Sequence, residues 1–432
     1  MTKFNLDVTF DGINDVERLP GQSVFEGGPF MGYYNVFASD PDEIEGTVSF
    51  TGSGWRLKAL RLTGDNSQTV FTDLDNGEDR RIDFLELGYN SDVDLISTRA
   101  RYIFGWDGEK HIVKLGNQQD GSTASINLYA TQNTVVTGNA YVQTINTGGE
   151  GDGAKDKITI GDGGAGSLFT GNGNDFVSTK GWVEFASTGS GNDKVNIGSE
   201  GAGAIRTKDG KDTVITKDGW VELISTGNDN DKVKLGEGFA STVNLSGGND
   251  KLFIVDALNS DYGVTAWGGD GTDMINFAKF SMGVTYSLWA SGWQNVGASN
   301  GETENIAGWV RTHRFENVVG SKKADNLTGN GEDNVIKGGK GNDTLAGMGG
   351  DDKIIGSAGN DTFVFGANSG TDLVKGFQQG SDTLRIEDHS GNFHSLDISK
   401  DGKDLVIEHD GGSIILAGDG GLKLTADDFD FI

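Results

Sequence analysis

The sequence predicts an all-β protein, a parallel β-roll or β-helix solenoid with an additional β-rich domain at its N-terminus. Three observations predict it. Apolar residues recur at Leu327, Ile336, Leu345, Ile354 and Phe363, nine apart without a slip. Asp156, Asp175, Asp193, Asp212, Asp231 and Asp250 fall 19, 18, 19, 19 and 19 apart, and each stands two residues before an aliphatic one. The 432 residues include 70 glycines and 3 prolines, which suits many tight turns and excludes collagen. Neither nine nor eighteen is a helical or strand period; both suit a short strand plus a turn, repeated.

Residues 1–117 have a different texture and read as an N-terminal β-rich domain. WRLKALRLTG (55–64) and RRIDFLELG (80–88) alternate as strands do, and YIFGWDGEKHIVKLG (102–116) reads as a hairpin around Asp107-Gly108. TDLDNGED (72–79) is rich in carboxylates, but its glycine falls one residue early for an EF-hand loop. An exposed Asn-Gly turn is the better reading there.

Residues 118–278 read as the 18–19-residue coils. KGWVEFAST (180–188) and DGWVELIST (218–226) are near copies two coils apart. They place Trp182 and Trp220 at equivalent positions, as aromatic platforms for a sugar ring or as core residues of alternate coils. Residues 279–320 read as a looped insertion, 321–365 as the nine-residue block, and 366–432 as a separate C-terminal region.

The block repeats a glycine-rich turn, then an aspartate, then an apolar residue: GGKGNDTLA, GMGGDDKII and GSAGNDTFV at 338–346, 347–355 and 356–364. Glycines permit the positive φ of a tight turn, and the apolar residue marks a short strand with one side chain inward. Two units make one coil, so Asp343 stands over Asp361. Strands stack about 4.8 Å apart, and two bare carboxylates at that distance repel by about 0.9 kcal/mol even in water. The stack calls for a cation, and Ca2+ accepts six to eight hard oxygens in flexible geometry.

These units resemble the RTX (hemolysin-type) calcium-binding family, whose repeat is G-G-x-G-x-D-x-U-x. The resemblance implies calcium between successive turns, held by Asp343, Asp352 and Asp361 with main-chain carbonyls around Gly338, Gly339, Gly341, Gly347, Gly350, Gly356 and Gly359. Asp325 and Asn334 stand at corresponding places in the degenerate units before them, and GGDGTD (268–273) adds Asp273. For Asp156, Asp175, Asp193, Asp212, Asp231 and Asp250, calcium sites and a metal-free β-helix both remain open. GTDLVKGFQQGSDTLRIED (370–388) and the end LTADDFDFI (424–432) look like the family's C-terminal region, an uncleaved signal for the type I (ABC-transporter) secretion apparatus. The resemblance thus implies a chain kept unfolded by charge in calcium-poor cytosol and folded outside by calcium, which replaces disulfides.

Composition agrees. With 64 acidic against 35 basic residues the net charge is −29, a poor partner for nucleic acid and a good one for cations. There is no cysteine, no apolar run long enough to span a bilayer, and no apolar segment near the N-terminus of the Sec type. The expected location is extracellular, with the cell surface as a further possibility. No HExxH occurs, and the single GxSxG, GASNG around Ser299, lacks a strand–turn–helix context. The sequence therefore leans toward a structural, adhesive or matrix-binding module, with a calcium-stabilised polysaccharide lyase or epimerase as the alternative.

Overall fold

In a computed structural model the described residues are 2–9, 33–37, 44–51, 56–63, 68–72, 81–88, 90–95, 99–106, 108–116, 123–148, 153, 155–255, 263–297, 308–387 and 391–432. The carboxylate-rich turn at 73–79 and Ser299 lie outside them. Among the described residues there is no α-helix, only many short strands and two 3-10 turns. The chain divides into two units, Met1–Val214 and Ile215–Ile432.

The first unit is a parallel solenoid of two sheets. Its first sheet stacks Thr2–Thr9, Ile44–Thr51, Gln68–Thr72, Asn90–Leu95, His111–Leu115, Asn133–Thr137, Lys157–Ile160, Phe176–Thr179 and Lys194–Ile197, each parallel to the next. The second stacks Tyr33–Phe37, Arg56–Thr63, Arg81–Leu87, Arg99–Gly105, Thr123–Leu128, Val142–Asn146, Ala165–Phe169, Val183–Ser187 and Ala202–Arg206 in the same manner. The chain alternates between them, one strand of each per coil. The expected strands at 55–64 and 80–88 form. The expected hairpin at 102–116 does not: Arg99–Gly105 pairs with Thr123–Leu128, while His111–Leu115 pairs with Asn90–Leu95 and Asn133–Thr137. Parallel pairing thus joins strands before residue 117 to strands after it.

Aliphatic side chains one coil apart fill the interior. Val113, Val135, Ile158, Val177 and Val195 form one inward column and Ile103, Ile126, Ile145, Leu168, Ala186 and Ile205 another, all fully buried. Burying each Val, Leu or Ile contributes roughly 1.5–3 kcal/mol, and because each contacts its copies above and below, the columns favour a constant coil length. In the second sheet the inward positions are three apart, as Val183 and Ala186, and the pairing register steps over Glu184 and its partners Gly166 and Gly203 alike.

The second unit keeps the first-sheet pattern through Lys232–Lys234, Lys251–Phe253, Met274–Asn276, Asn317–Val319, Val335–Lys340, Lys353–Ala358 and Gly370–Lys375. Opposite it the partner changes. Val221–Ser225, Ala240–Asn244, Gly263–Trp267 and Trp309–His313 form one sheet, closed by the antiparallel Gln294–Asn295. Thr285–Ser287 then begins another, continued by Asn326–Thr328, Thr344–Ala346, Thr362–Phe365 and Thr383–Ile386. The segment 279–320 is where one partner sheet gives way to the next. The nine-residue rhythm alternates faces: Ile336 and Ile354 point inward from the first sheet, Leu327, Leu345 and Phe363 from the other, all fully buried. Residues 397–417 fold as an antiparallel meander whose strand Gly412–Ala417 lies parallel on Gly370–Lys375, and Phe429–Phe431 adds to Thr383–Ile386.

Candidate metal sites

Each repeat aspartate sits at the corner where a turn enters a strand, and all are buried to 3% exposure or less. The corner is held by the main chain. The N–H of Asp325 donates to Asp343 Oδ1 (2.9 Å), that of Asp343 to Asp361 Oδ1 (3.0 Å), and that of Asp361 to Asp382 Oδ1 (2.9 Å). On the alternate corner, Asn334 N–H donates to Asp352 Oδ1 (2.8 Å) and Asp352 N–H to Asp372 Oδ1 (3.0 Å). The aspartate carbonyls accept from the strand of the next coil, as Thr362 N–H does to Asp343 O at 2.7 Å. Every aspartate is thus fixed on both sides by its neighbours in a column.

This leaves one carboxylate oxygen over. Oδ2 of Asp343, Asp352 and Asp361 is buried with no hydrogen-bond partner. An unpaired buried carboxylate is costly, and the pKa values show it. Burial first, and then the charges of Asp325 and Asp361, push Asp343 up to about 7. Burial pushes Asp352 up to about 6 and raises Asp361. These orphaned oxygens are what a cation would satisfy. Among the described residues no three acidic or histidine side chains converge to hold a metal by themselves. Carboxylates supplemented by turn carbonyls make an all-oxygen donor set, which suits calcium and not zinc.

The glycines divide into two kinds. Gly339, Gly341, Gly350 and Gly359 have φ of 123°, 118°, 100° and 147°, the left-handed region that favours glycine. Met348 and Ser357 occupy the second-glycine position of their units and keep positive φ, 83° and 86°, a strain of about 1–2 kcal/mol each. Gly338, Gly347 and Gly356 are needed for a different reason. A Cβ there would lie 2.1, 1.9 and 2.2 Å from Oδ2 of Asp343, Asp352 and Asp361, so the absence of a side chain is what seats the carboxylate.

Asp325 and Asn334 differ from the other repeat positions. Asp325 Oδ2 accepts from Ser321 N–H (2.6 Å), and its Oδ1 accepts from Ser321 Oγ–H (2.8 Å) and Val284 N–H (2.7 Å). Asn334 Oδ1 accepts from Asn330 N–H (2.8 Å), and its Nδ2 donates to Asn330 Oδ1 (3.0 Å). Neither needs an ion to be satisfied. Two column members were missed from sequence: Asp372, pushed up to about 8 chiefly by burial, and Asp382, whose Oδ2 accepts from Gln378 N–H at 2.8 Å. They stand 20 and 21 residues after Asp352 and Asp361, off the 18-residue rhythm. GTD at 370–372 and GSD at 380–382 were the available signal.

The earlier aspartates repeat the same ladder. Asp156, Asp175 and Asp193 donate their N–H to Oδ1 of Asp175, Asp193 and Asp212 (2.8–2.9 Å). Asp231 and Asp250 do so to Asp250 and Asp273 (2.7 and 2.9 Å), and Asp273 N–H donates to Glu316 Oε2 (2.7 Å). Asp250 and Asp273 each leave Oδ2 buried and unpartnered and are pushed up to about 7, first by burial. At Asp156, Asp175 and Asp193 a threonine (Thr147, Thr170 or Thr188) takes the place of the first glycine and offsets part of the upward push from burial. Their Oδ2 atoms are nonetheless buried without a hydrogen-bond partner, as at Asp250 and Asp273. Trp182 and Trp220 are 38% and 39% exposed at a corner of their own units, and Trp220 Nε1–H donates to Ser241 Oγ at 3.1 Å.

Fold and columns together define a calcium-binding parallel β-solenoid. More particularly, residues 316–345, 328–363 and 338–372 match the RTX calcium-binding nonapeptide repeat, so this chain carries RTX repeats over 316–372. No curated protein matches the chain in sequence. Among solved structures it is similar to a hyperactive, Ca2+-dependent, β-helical antifreeze protein from an Antarctic bacterium. That likeness has 16% identity, covers 73% of this chain and 86% of the other, and has a TM-score of 0.31. It is also similar to the extracellular lipase LipA from Serratia marcescens, with 19% identity, 60% and 45% coverage and a TM-score of 0.21.

Proposed function

We propose that this is a secreted calcium-binding protein that acts outside the cell as a structural or adhesive module, with calcium driving the folding of its RTX block. The observation that carries the reading is the set of buried, unpartnered Oδ2 atoms on Asp343, Asp352 and Asp361 within the RTX repeats. Without an ion these columns oppose the compact state; with one, the free energy of binding becomes free energy of folding. A chain that folds on meeting calcium suits export in an unfolded state. The strand Phe429–Phe431, which pairs at the far end of the roll, belongs to the segment read as the type I secretion signal. No helix among the described residues is long and apolar enough to cross a membrane.

Circular dichroism of the whole protein during calcium titration tests this reading. The expected result is a cooperative gain of β signal on calcium addition, reversed by chelator and weakened in an Asp343→Ala/Asp361→Ala double variant. Equal calcium response in the double variant would refute the site; a wild type fully folded in chelator at pH 8 would refute calcium-driven folding. Secretion is tested by co-expression with a type I exporter, with and without residues 424–432.

A further inference from the structure

Away from the aspartate columns, one stretch of the second unit is unlike the rest of this acidic chain. Four of the eight tryptophans, Trp267, Trp289, Trp293 and Trp309, fall within it, 43%, 71%, 44% and 37% exposed. Core tryptophans would be covered; Trp267 and Trp309 instead stand on one parallel sheet, and Trp293 lies against its strand Gly263–Trp267. Asn244, Trp267 and His313 form one column across three strands, and Thr242, Thr265 and Arg311 form the column beside it. His313 stacks on the indole of Trp267, with centroids 4.0 Å apart and planes 18° apart. The Arg311 guanidinium sits 4.8 Å from the Trp293 ring centre and donates from Nη2 to Thr265 Oγ1 (3.2 Å), while its Nε is shielded from water and has no partner. Trp293 in turn packs against Gly263, where a Cβ would lie 2.2 Å from the ring.

Next to these columns runs a groove of about 590 Å³, bordered by Thr242, Asn244, Trp267, Asp270 and Arg314. Arg314 pairs with Asp270 at 3.3 Å, but both side chains are largely exposed, 69% and 93%. Such a pair contributes little, so the guanidinium is available to a better, bidentate carboxylate.

We propose that this groove binds an acidic polysaccharide, a chain containing uronate residues. The indole of Trp267, 43% exposed, offers an apolar platform for the C–H face of a pyranose ring. Asn244, directly opposite Trp267 on the neighbouring strand, and Thr242, two residues before it, supply partners for sugar hydroxyls, and the Arg314 guanidinium meets a carboxylate. Sites on adjacent strands repeat about every 4.8 Å, so a glycan crossing the strands meets a regular set of contacts. Charge decides between acidic and neutral chains. The protein as a whole repels anions at −29, yet here Arg314 borders the platform, held only by an exposed pair with Asp270. The inference rests on the reading of the protein as an extracellular binding module and names the partner class.

The test uses the full-length protein in millimolar calcium with short hyaluronan, heparosan and galacturonan oligosaccharides as probes and a cello-oligosaccharide as the neutral comparator. Binding is read by tryptophan fluorescence and by retention on immobilised glycan. The expected result is binding of at least one uronate probe and not of the neutral one. Trp267→Ala and Arg314→Ala should each weaken it by about tenfold or more, Arg314→Lys should recover part of the loss, and Phe84→Ala should bind as wild type. Calcium-dependent circular dichroism of each variant verifies its fold. Equal binding by the Trp267 and Arg314 variants, equal binding of the neutral chain, or no binding by protein that folds on calcium would overturn the site. Failure to fold on calcium would instead overturn the preceding reading.

Discussion

Asp343 lies between Asp325 and Asp361 in its column, donating its N–H to Asp361 and receiving that of Asp325. An Asp343→Asn substitution should therefore act in opposite directions with and without calcium. Coils lie about 4.8 Å apart. A carboxylate at that spacing feels about 0.9 kcal/mol of repulsion per neighbour in water, and about 3.5 kcal/mol at an effective dielectric constant near 20. Part is relieved because Ser321 hydrogen-bonds Asp325. A net gain of roughly 2–4 kcal/mol is expected for the asparagine variant in chelator at pH 8. An amide fits the position, as Asn334 does in its own unit, and still offers an oxygen to the Asp325 N–H. In calcium the sign reverses, because a charged ligand is lost, and the calcium midpoint should rise by about tenfold. Circular dichroism in chelator at pH 8, where the variant should keep more β signal than the wild type, and urea unfolding in millimolar calcium measure the two arms. A change of the same sign in the two conditions would refute the argument, since the orphaned oxygen would then not be the calcium ligand.

In chelator the pH dependence should invert that of most proteins. Asp343, Asp250 and Asp273 are pushed up to about 7 and Asp352 to about 6, all chiefly by burial. The native state thus holds protons that the unfolded chain has released above about pH 4. Stability then falls as pH rises from 4 to 7, and the metal-free protein should be more folded at pH 5 than at pH 8; thermal melts at the two values check this, and a higher melting temperature at pH 8 would contradict it. Gly347→Ala puts a Cβ 1.9 Å from Asp352 Oδ2 without a demand on φ. It should cost about 1–3 kcal/mol in calcium and raise the calcium midpoint, read from the same titration.

The solenoid was legible from sequence because its physics is periodic: an aspartate fixed at each corner and an aliphatic residue two positions on repeat wherever the coil keeps its length. Where coil length varies, the signal disappears. His111–Leu115 and Asn133–Thr137 are 22 residues apart in register, so residues 102–116 read as a hairpin although their strands pair with other coils. Val183 and Ala186 both point inward three residues apart, a spacing that breaks the alternation expected of a strand. For the sites, the motif located Asp343, Asp352 and Asp361 but could not show which oxygens are spent. That depends on Ser321 and Asn330 reaching Asp325 and Asn334 from within their own turns. The Trp267 groove was illegible for a related reason: Asn244, Trp267 and His313 are neighbours through register alone, from strands up to 69 residues apart.

Protein groups finish the columns where ions would otherwise be required. Asp325 is closed by Ser321, Asp382 by Gln378 and Asn334 by Asn330; the carboxylates between these ends keep unpartnered oxygens. Asn334→Asp would remove one such closure. The amide N–H now given to Asn330 Oδ1 at 3.0 Å would become an oxygen facing an oxygen, above the charge of Asp352. A carboxylate there has the same need as Asp343 has, next to a glycine, Gly329, whose Cβ would already collide with the Asn334 side chain at 2.2 Å. The substitution should add one calcium ion to the stoichiometry measured by isothermal titration calorimetry and destabilise the protein in chelator by about 1–3 kcal/mol. Lost stability in chelator with unchanged stoichiometry would show that the carboxylate alone does not make the site, and that the side chain of Asn330 must also be withdrawn before an ion can enter.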